Sequence, residues 1–369
     1  MNDDVSRADR LRVIVLPNRP WGPHLRSFRP GEAPDPDRLR RLLAERGIDF
    51  IAVDPFSPPC NPFGRGHPFF AGLDPLRALV VMFHHRSADL VISVFESSAV
   101  VLILLRRLLF FKTPVTLWDV SVGSDWRPRR LALSLVLPRI DKLFSLTQWQ
   151  KAAVERQYRL RAPADVLGFA VDEDFYHPKF NQEAHYVLSV GEDVARDYTT
   201  LVTAVQDLPI AVVLKTSREV TFPAGCIATV TVMKEHLSSL QLRDLYGAAS
   251  IAVIPLCSSD HPSGISSLFE AMAMGKAIIA SDVPMVREFI TSGETGVIVP
   301  VGDAEALGSA IAFLLARPDE RRRLGVNVRA YLEANLTLTS FADRYAASIR
   351  DVVRRRTVRR QRDNWRRRN

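Results

Sequence analysis

The residues with the clearest chemical use in this 369-residue chain are Glu270 and Ser266, four positions apart on a segment that opens with Gly264 and Ile265. On a helix, Ser266 and Glu270 share one face, while Leu268, Ala271, Met272 and Gly275 share the buried one. A carboxylate so placed can accept hydrogen bonds from both hydroxyls of a ribose, each contact contributing about 1.5–3 kcal/mol. The amides of Gly264, Ile265 and Ser266 at a helix start form an anion site suited to a diphosphate or to sugar oxygens. Ser267 and Glu270 also have the spacing of a capping box, and Gly264 also reads as an ordinary loop glycine. The residues alone leave both alternatives open.

Phosphates need cations, and a hydroxyl can be oriented or deprotonated by a carboxylate. Arg196 follows a strand end in SVGEDVARDYTTL, and Lys215 closes the next strand in VVLKTS, where a solvated lysine is an equal reading. Asp119 ends an apolar strand in TLWDVS and could deprotonate or orient an acceptor hydroxyl, help of about 10²- to 10⁴-fold. Capping of the following turn is its other reading. Glu96, after the preceding strand, is the second candidate base or else a helix cap.

These groups are positioned by elements that alternate. Apolar runs at Val13–Leu16, Phe50–Val53, Leu90–Phe95, Val115–Trp118, Leu143–Leu146 and Asp165–Gly168 are separated mostly by amphipathic segments. After the turn-rich stretch Val171–Ala184 the pattern restarts, with strands at Tyr186–Val190, Ile210–Leu214, Ile227–Val232, Ile251–Leu256, Ala277–Ser281 and Gly296–Val299. The last of these is expected to belong to a glycine-punctuated hairpin. Alternation of this kind implies an α/β fold with two Rossmann-like, doubly wound parallel-sheet domains, whose ligands sit in a cleft between the carboxyl ends of the sheets. The expected division is a domain over residues 1–170, a linker over 171–184, a second domain over 185–339, a helix over 340–356 that packs back across the boundary, and a basic tail over 357–369.

The order from Ser250 to Val301 resembles the nucleotide-binding segment of retaining glycosyltransferases of the GT-B architecture, those of family 4. That family carries Glu, seven residues and Glu before an Ala-Met-Ala-x-Gly-Lys helix end; Glu270, Ala271, Met272, Ala273, Gly275 and Lys276 match the second half. Ser281, Asp282, Glu288, Gly293, Gly296, Pro300 and Asp303 continue the pattern, and GFAVDEDFYHP at Gly168–Pro178 echoes the family's linker. Pro262 stands where the first glutamate belongs, so the usual contact to the donor sugar is missing; Asp260 or His261 could approach from a re-routed loop instead. The resemblance implies that Gly22 takes the place of a glycine beside the donor phosphates, that Arg196 represents the family's Arg and Lys pair, and that Asp119 occupies a position often held by histidine. The N-terminal half resembles the family in architecture only.

The implied activity is transfer of a sugar, with retention and without metal, from a nucleoside diphosphate sugar to a hydroxyl of a glycan, lipid-linked or small-molecule acceptor, with no cofactor. The alternative is a GT-B-like protein that binds a nucleotide or glycan as the partner of another transferase, which the substitution at Pro262 favours. A sugar-nucleotide epimerase on the same fold is a third, weaker reading. No phosphate-binding Walker loop or dinucleotide fingerprint points to ATP hydrolysis or hydride transfer.

With 47% hydrophobic and 24% charged residues and a polar N-terminus, the composition is that of a cytoplasmic globular protein. The three cysteines, Cys60, Cys226 and Cys257, share no metal-ligand spacing. The net charge of +8 resides in the tail Arg354–Asn369, which holds nine arginines and one aspartate. Such a tail is either a disordered solubilising end or a tether to an anionic membrane at its inner face; nucleic acid is the less favoured partner, and Trp365 within the run adds a hint of an interface.

Overall fold

Strands buried on both faces must be apolar throughout, and runs of this kind build two parallel sheets. The computed structural model describes residues 10–17, 20–21, 28–56, 73–94, 96–106, 108–118, 127–178, 184–259 and 262–368. The chain divides into two compact units. Unit 1 comprises Met1–Phe28, Pro36–Gly168 and Thr339–Asn369, and unit 2 comprises Arg29–Asp35 and Phe169–Leu338.

In unit 1 the elements run β1 (Leu11–Leu16), α1 (Arg38–Glu45), β2 (Ile48–Ala52), α2 (Pro75–His84), β3 (Leu90–Ser93), α3 (Glu96–Leu105), β4 (Val115–Trp118), α4 (Arg127–Val136), β5 (Lys142–Ser145), α5 (Gln148–Gln157) and β6 (Asp165–Val166). The six strands pair in parallel in the order β2-β1-β3-β4-β5-β6. Thr147 and Asp74 cap α5 and α2 by accepting from Gln150 N–H and Arg77 N–H. The Pro- and Gly-rich stretch at residues 55–68 lies outside the described residues from 57 onward.

In unit 2 they run β7 (Tyr186–Val190), α6 (Tyr198–Val205), β8 (Ala211–Lys215), β9 (Thr229–Met233), α7 (Ser239–Ala248), β10 (Ile251–Ile254), α8 (Ile265–Ala273), β11 (Ala277–Ser281), α9 (Pro284–Arg287), β12 (Val297–Val299), α10 (Ala304–Leu315) and α11 (Pro318–Asn335). The sheet order is β12-β11-β10-β7-β8-β9, again all parallel. The chain winds outward from β7 to β9, returns, and winds the other way from β10 to β12. The switch point between β7 and β10 is where open α/β sheets hold their ligands. One expectation fails here: β12 does not close a hairpin but pairs in parallel with β11, Ile279 beside Val297, because α9 carries the chain back to the start of the sheet.

The last helix, α12, spans Leu338–Arg368. It continues through the arginine run rather than ending near Arg356, as arginine is a good helix former and nothing in the run breaks a helix. Its first turns belong to unit 1, where Phe341 and Tyr345 pack on Trp118 with centroids 5.6 and 5.7 Å away, and Tyr345 meets Phe50 and Phe144 edge-on at 5.7 and 6.1 Å. Arg46 pairs with Asp343 at 2.6 Å on the same helix. Tyr345 is therefore a keystone of this aromatic cluster. Tyr345→Ala is expected to destabilise unit 1 by about 3–5 kcal/mol, read as a lower urea midpoint, whereas Arg322→Ala at an exposed site should leave the midpoint unchanged.

Candidate functional site

Two loops meet at the switch point of unit 2. The loop after β7 carries Gly191 to Asp197 and the one after β10 begins at Pro255. They are stitched by Cys257 N–H donating to Ala195 O at 2.8 Å and Asp197 N–H donating to Pro255 O at 3.0 Å. Gly264 then adopts φ 80°, a left-handed conformation natural to glycine, and caps α8 without any side chain. The capping-box reading of Ser267 and Glu270 is thereby removed, since Ser267 is already the third helical residue. The first-turn amides of α8 keep no intrahelical acceptor.

Arg196 is the centre of the site. It is only 5% exposed, with Nε donating to Asp193 Oδ2 at 3.1 Å and Nη2 donating to Ser267 Oγ. Ser267 in turn donates to Gly264 O at 3.0 Å. The third nitrogen, Nη1, is buried and has no hydrogen-bond partner among the described residues. A guanidinium lodges here because Gly191 has no side chain: a Cβ on Gly191 would lie 2.0 Å from Arg196 Nε.

Glu270 stands one turn further along α8 than Ser266 and Ser267. Its residue surface is partly exposed, but its carboxyl group is enclosed. Burial pushes that carboxyl up to about 7, against the hydroxyls of Tyr246 and Tyr176 and the Arg196 guanidinium, which favour the anion. Tyr176 OH donates to Glu270 Oε1 at 3.5 Å, and Tyr246 OH donates to Ser267 O at 3.4 Å. Burial and the neighbouring carboxylate raise both phenols well above their usual range, so both remain neutral donors. Enclosure, two phenols and a cation describe a carboxylate poised between its two protonation states at neutral pH.

Of the residues expected at the site, the structure brings together Glu270, Gly264, Ile265, Ser266 and Arg196, with Ser266 exposed at the mouth of α8. Lys215 ends β8 nearby but is bound to Glu192 at 3.3 Å, where Ser217 also donates to the same carboxylate. Gly22, Asp119, Asp260 and His261 lie outside the described residues, and Glu96 opens α3 in unit 1 with its side chain not described. Pro262 is buried beside Gly264. Four participants escape a reading of the motif: Gly191 and Asp193, whose signal is their place just after β7, and Tyr176 and Tyr246, which come from separate segments with no spacing relation to Glu270.

Residues 227–331 match the family described as glycosyl transferases group 1. The chain is 38% identical over 100 residues to alpha-maltose-1-phosphate synthase of Mycolicibacterium smegmatis, covering 26% of this chain and 25% of that one. It is 34% identical over 99 residues to phosphatidyl-myo-inositol mannosyltransferase of the same organism, covering 26% and 25%. The matched stretch thus spans about a quarter of these relatives. In three dimensions it is similar to sucrose-phosphate synthase from Thermosynechococcus elongatus, with TM-score 0.68 and 20% identity over 93% of this chain and 99% of that one. Anabaena HepE, solved with UDP and glucose, gives TM-score 0.65 and 13% identity over 92% and 99%.

The fold is GT-B. The matched segment runs through β9 to α11 and so contains α8 with Glu270, whereas Arg196 and Gly191 precede it.

The enclosed carboxyl has a consequence for stability. Glu270 ionises near pH 7 in the folded chain and near 4.5 in the unfolded one, so folding below the lower value costs nothing at this site and stability is lost as pH rises from about 4.5 to about 7. Relative to Glu270→Gln, the wild type is expected to lose about 3 kcal/mol across that window and then level off. Urea unfolding of both proteins at pH 5 and pH 8 checks this, and a constant difference would show the carboxyl to be solvated.

Proposed function

We propose that the chain is a retaining glycosyltransferase that moves a sugar from a nucleoside diphosphate sugar to a hydroxyl of a glycan, lipid-linked or small-molecule acceptor. The observation that carries this reading is the buried Arg196 guanidinium, held with one nitrogen open beside the first turn of α8 and the Glu270 carboxyl. In this reading Glu270 receives the ribose hydroxyls in its anionic form. Arg196 Nη1 and the amides of Ile265 and Ser266 receive the diphosphate, whose charge grows as it leaves. Gly22 approaches the same phosphates. No metal is assigned to that neutralisation, and the work of transfer lies mainly in positioning the acceptor on the face the diphosphate leaves. Asp119, or Glu96 in its place, orients the acceptor hydroxyl; Lys215 serves the donor through Glu192 rather than directly. The arginine-rich end of α12 contacts an anionic membrane peripherally from the cytoplasmic side.

One observation favours a second reading. Pro262, buried where a sugar-contacting glutamate belongs, supplies neither charge nor a backbone donor. A protein that keeps the nucleotide site without turnover, acting as the partner of another transferase, would look the same around Glu270.

Calorimetric titration of UDP, GDP and dTDP without added metal is expected to show selective binding of one nucleotide, weakened about tenfold or more in Glu270→Ala by loss of charge-assisted hydrogen bonds. Absence of binding by all three at millimolar concentration would remove the donor-site reading. Release of the nucleoside diphosphate from its sugar conjugate on addition of an acceptor would exclude the binding-only partner. Gly191→Ala offers a sharper test, since its Cβ displaces the flexible end of Arg196 rather than backbone. It should lower both nucleotide affinity and melting temperature about as far as Arg196→Ala does, because either change removes the same ties to Asp193 and Ser267.

A further inference from the structure

We infer that unit 1 has a built membrane-docking rim at the edge where β3 and β4 begin, formed by the turn between α3 and β4 and a cationic cavity beside it. Burial should hide leucine and phenylalanine, yet Leu108 is 71% and Phe110 78% exposed in that turn. Leu104 on α3 and Leu131 and Leu135 on the neighbouring α4 are exposed as well. Isolated exposed apolar residues need no explanation, but a group on adjacent elements does.

The turn is held in this form. Phe111 is buried and its N–H donates to Arg106 O at 2.8 Å. Arg106 is anchored by Asp141 and by the carbonyl of Arg139. Between these fixed points Phe110 takes φ 51°, a left-handed conformation that a bulky residue adopts only at a cost. The backbone thus holds an aromatic ring in water, a strained arrangement without benefit to the core.

The charge beside it selects the partner. Two residues after Phe110, Lys112 lines a cavity of about 280 Å³ together with Arg86, from the α2–β3 connection, and Arg356 of α12. Neither Arg86 nor Lys112 has an ion-pair partner among the described residues. The cavity's one carboxylate, Asp89, is engaged by the backbone N–H of Arg12 at 2.8 Å. From residue 97 to residue 140 the chain carries seven Lys and Arg against two Asp, and the arginine run of α12 begins at the same cavity. Apolar side chains on a braced turn, next to cations and a space sized for a polar group, fit the surface of an anionic bilayer: Leu108 and Phe110 enter the acyl boundary while Arg86, Lys112 and Arg356 receive lipid phosphates. Nucleic acid would use the cations but not the exposed leucines.

This rim deepens the membrane contact proposed above for the arginine tail and rests on that reading only for the nature of the partner. Sedimentation with vesicles of phosphatidylcholine alone, or of equal parts phosphatidylcholine and phosphatidylglycerol, tests it on the full chain. The wild type should bind the anionic vesicles and not the neutral ones. Leu108→Ser with Phe110→Ser, and separately Arg86→Glu with Lys112→Glu, should each reduce that binding about tenfold or more with melting unchanged, because the substituted side chains are exposed. No binding by the wild type would overturn both the rim and the tail contact. Unchanged binding in both rim variants, with loss only when the tail arginines from Arg359 onward become glutamine, would overturn the rim and leave the tail. Conversion of a wild-type dimer to a monomer by the Leu108 and Phe110 substitutions, without loss of vesicle binding, would show that a second copy covers this face and would also overturn the proposal. None of these results depends on nucleotide titration, so the transferase reading stands or falls separately.

Discussion

The placement of one guanidinium organises unit 2. Arg196 is buried in the space left by Gly191, directly after the first strand of the sheet, and reaches across the switch point to Ser267 on α8. Burying an arginine is costly unless its donors are met, and two of its nitrogens are met by Asp193 and Ser267. The remaining one, Nη1, is left without a partner among the described residues, a deficit that an anionic ligand would relieve. The loop after β7 and the start of α8 are thus joined by the same side chain that offers the open donor, and backbone hydrogen bonds tie in the loop after β10. The bracing of these segments and the open donor coincide because both are consequences of where the positive charge is buried.

Glu270 complements this arrangement with the opposite sign. A carboxyl enclosed by Tyr176, Tyr246 and the helix it sits on is held near the midpoint of its titration, since burial outweighs the hydroxyls and the cation that favour its charged form. Hydroxyl donors from a ligand would tip the balance toward the anion without any movement of the backbone. Such a site spends stability to keep a polar group in readiness, which is the usual bargain at sites that bind charge.

How far the sequence disclosed this depended on the range of the interactions involved. Both doubly wound sheets were legible, because strands such as Leu90–Ser93 and Ile251–Ile254 are buried on both faces and must be apolar at every position. The return of β12 is not legible, since the glycines around it signal a turn but not the direction of pairing. α12 runs past the expected end near Arg356, because a run of arginines reads as charge before it reads as helix propensity. At the site, Glu270 and the α8 N-terminus announced themselves by local spacing, a relation within one helix. The burial of Arg196 did not, for it depends on Gly191, Asp193 and Ser267 meeting from two segments far apart in the chain. Tyr176 and Tyr246 were hidden for the same reason.

The two ends of α8 show why the motif around Glu270 continues as far as Lys276. At its start the helix keeps its amides open toward the site. At its far end Arg329 Nη1 donates to Ala273 O at 2.5 Å and to Tyr176 O at 2.8 Å. Lys276 closes the neighbouring helix α7 by donating to Gly247 O at 2.7 Å and Ala249 O at 2.9 Å, and Arg321 does the same for α10 through Leu314 O and Leu315 O. Cations thus gather where helices end and their carbonyls need donors. The cavity of about 590 Å³ that Lys276, Arg321 and Arg329 help to line is accordingly a by-product of capping, with these three cations already committed to carbonyls. Lys276 belongs to the motif without approaching the site: it caps the carbonyl end of α7, while at the other end of the motif the first-turn amides of α8 stay without an intrahelical acceptor.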